Sequence, residues 1–437
     1  MGWQPCEVCE KNIMTKQLFF AKVLAFFFVV AAVRSVVSAI QFESNLTLGN
    51  TAFWWFYQTC FLLLALVSIK YFVAKKQSAL MKLIQFYILL VLINFMRGLL
   101  ISDTYWDFKG LINNSLPLLV PVLAYLGTNK DLVKRLLTTY FKYGLVVLVA
   151  LLPILPKVAF GYYLVPVTLI TLFYSALSIK TKALMIALIL IVFTADLGAR
   201  SNVIKFFVPL CLCFIFYFKN ILGTKSLNFI RITFFFLPPI LLTLAIQGDF
   251  NVFKMEDYIK GSFTTLKLDE DGHEKEENLL SDTRTFLYVE ALSTSEYYNS
   301  WIFGRSPARG TISAHFGHED LNNRGERLSN EVSILNIYTW LGLVGVLVYA
   351  FIFYFASYYA INKSNNYYCQ ILGVFIAFRW CYAWVEDFTI FSLTYILLWI
   401  MIGMCYSVQF REMTDLEFKV WVKSIFNGKL KSYSAKA

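Results

Sequence analysis

The sequence predicts an all-α polytopic membrane protein with about twelve transmembrane helices and one large periplasmic loop. Of its 437 residues, 58% are hydrophobic and 15% are charged, and the mean hydropathy is +0.60. Soluble domains contain about 45–50% apolar and about 25% charged residues, so this composition favours a membrane protein. A span needs about 20 apolar residues. Twelve segments approach that length: 18–40, 52–74, 82–101, 111–127, 136–155, 158–179, 183–196, 203–218, 229–246, 333–361, 369–385 and 389–410.

The basic residues alternate between successive connections, as the positive-inside rule requires. The net charge of +11 lies mainly in every second short connection and in the C-terminal tail. This distribution indicates membrane topology and gives no reason to expect a nucleic-acid partner. It predicts a bacterial inner-membrane protein with both termini in the cytoplasm and residues 247–332, the large loop, in the periplasm.

The spans divide the chain into four regions. The large loop itself has two unlike halves, since 254–280 is acidic and lysine-rich and looks solvated, while 281–304 reads as an amphipathic helix with Asp282 as its N-cap. The four regions are an N-terminal bundle of about nine spans (1–246), the large loop (247–332), three further spans (333–410) and a basic cytoplasmic tail (411–437).

Arginine replaces lysine in the second half of the large loop. Five arginines and no lysine lie between Leu280 and Glu331. A guanidinium is a planar, always-charged fork that binds two phosphate oxygens at once, whereas an ammonium is a hydrated point charge. The cluster therefore predicts a site for a lipid-linked phosphate or pyrophosphate, and the alternative is pairing with the many carboxylates of the loop. The arginines are Arg284, Arg305, Arg309, Arg324 and Arg327.

Ionisable residues in or near spans are costly and therefore point to function. Arg34 and Arg97 are expected to snorkel to lipid headgroups. Arg200, in the turn ADLGARSN, is expected to direct its guanidinium into a cavity. Arg379 is expected to pair with a following carboxylate rather than with substrate. The acidic members of this set are Asp103, Asp107, Asp196, Glu386 and Asp387.

Three residues of the large loop are candidate general bases: His315, His318 and Glu331. A neutral histidine is a good base near pH 7. Glu331 has a structural alternative, because carboxylates favour helix N-termini and the next span begins just after it. No motif indicates a metal or a cofactor: Cys6 and Cys9 lack the further ligands of a zinc site.

The sequence contains no Walker motif, no G-x-S-x-G and no H-E-x-x-H. A nucleotide-driven or hydrolytic-triad mechanism therefore has no sequence support. Transfer from an already activated lipid pyrophosphate fits better, since the enzyme need only clamp the diphosphate and deprotonate an acceptor hydroxyl.

Three stretches resemble the superfamily of O-antigen polymerases and O-antigen ligases. LGARSNVIKFFVPL is similar to the family's arginine turn that opens a span. SDTRTFLYVEAL followed by WIFGRSPARG resembles its arginine-bearing loop helix and glycine turn, and SNEVSILNIYTWLGLVGVLVYAF resembles its H-N-x-x-L stretch followed by G-x-x-G. The likeness covers residues 183–361 in detail and the rest in topology.

The resemblance implies a GT-C-like fold and metal-independent glycosyl transfer from undecaprenyl-pyrophosphate-linked oligosaccharides, with a chain-length regulator as a further partner. By position, Arg200 and Arg284 would contact pyrophosphate, Arg305 or Arg309 would assist, and Arg324 and Arg327 would hold the second lipid substrate. Ligases carry histidine before asparagine in H-N-x-x-L, where this chain has Asn330 and Glu331. The departure favours a polymerase; a ligase, a lipid-linked oligosaccharide exporter and a membrane sensor stay open.

Overall fold

The computed structural model describes residues 7–44, 50–74, 81–195, 200–259, 264–268, 274–278, 282, 284–317 and 321–427. Helices dominate, as the composition predicts. In chain order they are α1 (Glu7–Ser44), α2 (Thr51–Phe72), α3 (Lys82–Ile101), α4 (Tyr105–Leu118), α5 (Leu123–Gly127), α6 (Lys130–Thr139), α7 (Leu145–Leu151), α8 (Ala159–Tyr163), α9 (Val165–Leu172), α10 (Ile179–Ala195), α11 (Arg200–Phe214), α12 (Thr224–Gln247), α13 (Thr285–Tyr297), α14 (Ser333–Asn362), α15 (Tyr367–Tyr382), α16 (Leu393–Tyr406), α17 (Val408–Arg411) and α18 (Asp415–Phe426).

Within the described ranges, eight helical stretches are long and apolar enough to cross a membrane. They are Met14–Ile40, Thr51–Phe72, Lys82–Ile101, Tyr105–Gly127, Lys130–Ile154, Arg200–Phe218, Thr224–Gln247 and Ser333–Asn362. The predicted, almost entirely helical architecture with several candidate membrane-spanning helices is thus confirmed, and the count of twelve spans stays a prediction. The other four predicted spans form the shorter helices α10, α15 and α16 and a broken segment, α8 and α9, which separate where Pro166 removes a backbone donor.

Hydrogen bonds near the helix termini show which of the connecting segments lie close together at each end of the helices. At one end, which we call the tail end, Asn129 Nδ2 donates to the Phe72 carbonyl and Ser407 Oγ to the Thr128 carbonyl. At the other, the loop end, Arg97 donates to carbonyls of the large loop. The predicted alternation of the other connections, and the compartment that each end faces, stay predictions.

The large loop is more ordered than its composition suggests. Asp282 Oδ1 accepts hydrogen bonds from the backbone N–H groups of Arg284 and Thr285, but the N-cap residue of α13 is Arg284, without a side-chain capping bond, so the predicted N-cap at Asp282 is wrong. The predicted helix over 281–304 is shorter, ending at Tyr297 before a turn that places Asn299 at φ +48°. Short antiparallel strand pairs, which we did not predict, are β1 (Thr264–Leu268) with β2 (Glu274–Asn278) and β3 (Thr311–Ile312) with β4 (Glu326–Arg327).

The large loop also forms hydrogen bonds with the backbone of α14 at the point where that helix is interrupted. Gly342 has φ +68°, which interrupts the helix, and Gly304 of the loop has φ +65°. The two backbones touch: a Cβ on Gly304 would lie 2.4 Å from the nitrogen of Gly342. Loop residues 301–306 pair with the backbone groups freed by the break, through bonds such as Arg305 N to Thr339 O at 2.6 Å and Leu343 N to Trp301 O at 2.9 Å. An interrupted helix is tolerated in a membrane because protein satisfies its backbone.

The region predicted as a basic tail is partly folded. Within residues 411–427, α18 buries Phe418, Trp421 and Val422, and Trp421 Nε1 donates to the Lys130 carbonyl at 3.1 Å. These contacts fix α18 against α6 at the tail end. Residues 428–437 lie outside the described part of the chain.

Candidate functional site

Two arginines of the large loop meet on one partly exposed carboxylate at the loop end. Arg284 Nη1 lies 2.6 Å from Glu331 Oε2, and Arg327 Nη2 lies 3.0 Å from Glu331 Oε1. The Glu331 side chain keeps 42% of its exposure, so solvent or a ligand reaches this pair. Arg327 stacks on Phe316 at 3.7 Å, and its buried Nη1 has no hydrogen-bond partner among the described residues. We call Arg284, Arg327, Glu331 and Glu386 the open cluster.

Glu386 forms the inner wall of the open cluster. Its carboxylate lies 3.9 Å from Arg284 Nη2 and faces Ser201 at the start of α11. Burial raises the pKa of Glu386 above its ordinary value, and the positive charges of Lys205 and Arg284 lower it in part. The open cluster therefore collects groups from the large loop and from the segment after α15, and it borders Ser201 and Lys205 of α11.

Lys205, which sequence reasoning missed, lies beside this wall. Its Nζ is buried, donates a hydrogen bond to Asn202 Oδ1 at 3.3 Å and lies 4.6 Å from the Tyr162 ring. An ammonium has three donors, and the bond to Asn202 uses one of them. A signal was available, because a lysine inside the predicted span 203–218 is costly unless it has a role.

A polar latch holds Glu331 in place. Asn330 N donates to Asn336 Oδ1 at 2.6 Å, and Asn336 Nδ2 donates back to the Asn330 carbonyl at 2.9 Å. Ser333 Oγ donates to the Glu386 carbonyl at 3.0 Å. Glu331 does not cap α14, whose N-cap residue is Val332 without a side-chain bond, so the capping alternative is wrong. The latch presents the Glu331 carboxylate to the two arginines instead.

Arg305 and Arg309 lie in different surroundings. Arg305 Nη2 bonds Glu326 Oε1 at 2.7 Å, and Arg309 Nη1 bonds Asp107 Oδ1 at 3.2 Å. The carboxylates keep only 1% and 2% of their side-chain exposure. Arg305 also donates to the Gly310 carbonyl at 2.5 Å. These four charged residues, the closed cluster, hold the large loop to itself and to α4, as in the predicted alternative of pairing with carboxylates.

Arg324 joins the closed cluster at its rim, where Nη2 lies 3.1 Å from Asp103 and 3.2 Å from Asp107. Arg97 donates to the Phe303 and Gly304 carbonyls at 3.0 and 2.8 Å. Arg97 therefore anchors the large loop, and the snorkelling interpretation does not describe it.

The remaining predicted bases and phosphate ligands are distributed as follows. His315 is exposed, with Nδ1 2.9 Å from Glu290 Oε1, and it stacks on Phe286 at 4.6 Å. Phe286 in turn packs on Phe316, so His315 lies near the open cluster without contacting its carboxylates. Arg200 is exposed at the first described residue of α11, next to Ser201. His318 lies outside the described residues.

Arg379 departs from its predicted pairing. No ion pair joins it to a carboxylate within the described part of the chain; its guanidinium lies over the Phe388 ring at 4.2 Å. Arg34 similarly lies over Trp54 at 4.3 Å and bonds Ser38, which agrees with an interfacial position better than with a substrate site.

Chemically, the open cluster resembles an anion clamp more than a metal centre. Among the described residues, no group of three or more His, Cys, Asp or Glu side chains is placed to hold a metal ion. Two guanidiniums with one exposed shared carboxylate can exchange that carboxylate for a diphosphate. Comparisons of the chain with protein-family models, with curated proteins and with solved structures find no match.

Proposed function

We propose that this protein is a membrane glycosyltransferase that polymerises oligosaccharide repeat units linked to undecaprenyl pyrophosphate. The observation that carries the proposal is the convergence of Arg284 and Arg327 on the exposed Glu331 carboxylate at the loop end. A bidentate arginine pair is suited to a diphosphate. The motif resemblance to O-antigen polymerases and ligases supplies the class of substrate.

In this mechanism the diphosphate replaces the Glu331 carboxylate between the two guanidiniums. The acceptor hydroxyl oxygen forms a bond to the anomeric carbon of the donor sugar, and the bond from that carbon to the pyrophosphate oxygen breaks. Undecaprenyl pyrophosphate leaves with the electron pair, and Arg284 and Arg327 stabilise its charge. Glu331, released from the arginines, accepts the proton of the hydroxyl.

Lys205 and Glu386 support this arrangement from the inner side. Glu386 lies near Nη2 of Arg284, whereas Glu331 bonds Nη1, so Glu386 can keep the guanidinium oriented while the ligand exchanges with Glu331. Lys205 adds a positive charge from α11 close to the position of the leaving group. Arg305 and Arg309 are left out of the clamp, because buried carboxylates already occupy their donors.

The ligase alternative uses the same clamp and differs in the acceptor. The exporter alternative has less support, since transporters place broken helices around a substrate cavity and the break at Gly342 is filled by loop residues 301–306. The sensor alternative leaves the two converging arginines without a role.

The test is the glycan banding of a strain that lacks the gene, complemented by wild type, Arg284→Ala or Arg284→Lys. A matched control is Arg135→Ala, which removes a partly exposed arginine at the tail end. We expect both Arg284 variants to give core with a single repeat, and wild type and the control to give a ladder. Long lipid-linked polymer that never reaches the core would identify a ligase. A normal ladder from Arg284→Ala would refute the clamp.

A further inference from the structure

Beside the open cluster lies a small apolar cavity of about 60 Å³. Its walls come from the C-terminal half of α12, from α13 and from the segment after α15. The residues that matter here are Leu242, Ala245, Tyr288, Cys381, Trp384 and Val385. The cavity therefore lies between the helix that leads into the large loop and the segment that carries Glu386.

The cavity and the clamp share a wall. Val385, which lines the cavity, accepts a hydrogen bond through its carbonyl from Arg284 Nε at 3.3 Å. Tyr288 donates to the carbonyl of Trp384 at 2.5 Å. A molecule whose charged group bonds Arg284 can thus extend an apolar group directly into the cavity.

Two further features distinguish the cavity from an ordinary packing gap. Trp384 Nε1 is buried at the cavity wall and has no hydrogen-bond partner among the described residues. On its other face, α12 is the least buried of the candidate spans, with 17% of its apolar window buried. Exposed apolar side chains such as Ile240 and Ile246 are typical of a helix face that contacts lipid. An apolar group that enters the cavity from the side of the clamp would gain burial against these walls.

We propose that this cavity holds the isoprenoid chain of the donor at the units next to its pyrophosphate. The inference rests on the proposed function, which places a lipid pyrophosphate on Arg284 and Arg327. Ligand sites combine mostly apolar walls with a few oriented polar groups, and the cavity with its adjoining clamp has this composition. The rest of the chain would leave along α12 into the bilayer.

The experiment uses the full-length protein in detergent with farnesyl diphosphate that carries a photoreactive diazirine in its first isoprene unit. Crosslinked residues are mapped by mass spectrometry, with inorganic pyrophosphate as competitor. We expect label on residues 238–253 or 381–385, displaced by pyrophosphate. Mapping on the wild type needs no variant, so the inference stays testable if a variant misfolds.

A matched pair of variants sharpens the result. Ala245→Phe fills the cavity, and Ile246→Phe adds the same ring to the neighbouring, 69% exposed position. We expect Ala245→Phe to lower labelling about tenfold, because the added ring occupies the space that the probe needs, and Ile246→Phe to leave it unchanged.

The outcomes separate the cavity from the clamp. If residues outside the cavity are labelled, and both pyrophosphate and Arg284→Ala abolish that labelling, the cavity proposal is overturned and the clamp proposal stands. A second outcome is labelling of the cavity that pyrophosphate does not reduce and that a photoreactive phospholipid acyl chain also produces. That outcome would assign the cavity to a bilayer lipid and overturn the inference. Absence of any pyrophosphate-sensitive label would overturn both proposals.

Discussion

The open and closed clusters use the same two residue types in opposite ways. In the closed cluster, Arg305 forms an ion pair with Glu326, whose side chain is 1% exposed, and donates a second hydrogen bond to the Gly310 carbonyl of the loop. In the open cluster, Arg284 and Arg327 share a carboxylate that is 42% exposed. Arginines that are each paired with a buried carboxylate stabilise the fold. Arginines that share an exposed carboxylate can exchange that carboxylate for a ligand.

The energetic consequences differ accordingly. Breaking a buried ion pair leaves one charge without solvent or partner, which costs about 3–5 kcal/mol. Breaking a partly exposed pair costs about 1 kcal/mol or less, because water replaces the lost partner. The closed cluster should therefore control folding and the open cluster should control activity.

The largest expected effect is in the closed cluster. Glu326→Ala strands Arg305 and removes the acceptor of the Gly310 N–H, so we expect a loss of about 3–5 kcal/mol in the free energy of unfolding. Thermal unfolding in detergent and the yield of folded protein measure this loss. The double variant Arg305→Met with Glu326→Leu should recover part of the stability and retain polymerisation, since it leaves no unpaired charge, although the N–H and carbonyl of Gly310 lose their partners. Loss of activity in a stable double variant would place Arg305 in the substrate site after all.

Next comes the open cluster, where the effect falls on catalysis. Arg327→Ala should lower the polymerisation rate about 100-fold, the usual result of removing one donor from a site of developing charge. Arg327→Lys keeps the charge without the fork and should recover only part of the rate. The unfolding temperature should change little in both. A large drop in stability with normal activity per folded molecule would erase the contrast between the two clusters.

A smaller effect concerns pH. Because burial raises the pKa of Glu386 in the folded protein, folding favours its protonated form. The stability that this adds is fully present below the ordinary glutamate pKa and is lost as pH rises through the raised value. In that window Glu386→Gln should remove a slope of up to about 1.4 kcal/mol per pH unit, measured by unfolding at several pH values. Asp387, whose pKa burial also raises, is present in both proteins. Identical slopes would show that Glu386 titrates normally.

The smallest effect is expected at His315. Its exposed contact with Glu290 is of the kind worth about 0–1 kcal/mol, so His315→Ala should leave stability and polymerisation nearly unchanged. The rate of glycan chain extension by the purified variant is the measurement. A loss of about 100-fold would instead assign the base to His315, within the range that general-base catalysis supplies.

Apolar segments and charge alternation were readable from the sequence because each depends on local composition. Where predicted spans proved short or broken, the cause was also local, as at Pro166. The division of the arginines was not readable, since it depends on distant partners. Asp107 and Arg309 are 202 residues apart in the chain, and Arg284 and Glu331 are 47 apart.

Glu386 and Lys205 show how far the candidate site could be predicted from the local sequence. Glu386 was noticed as a costly charge, but its place beside Arg284 follows from how α15 ends against the large loop. Lys205 was readable as a lysine in an apolar span and was overlooked. The antiparallel pairing of β1 with β2 lies in a segment whose charge pattern suggested only solvation.

The contact between Gly304 and Gly342 has a consequence for the order of assembly. Residues 301–306 are synthesised before residue 342, yet they supply the hydrogen bonds that α14 lacks at its interruption. The helix therefore reaches its final hydrogen-bonded state only after the preceding loop segment has taken shape. Folding of the loop segment and completion of α14 are therefore coupled, and a chain whose loop has misfolded keeps backbone groups of α14 without their partners.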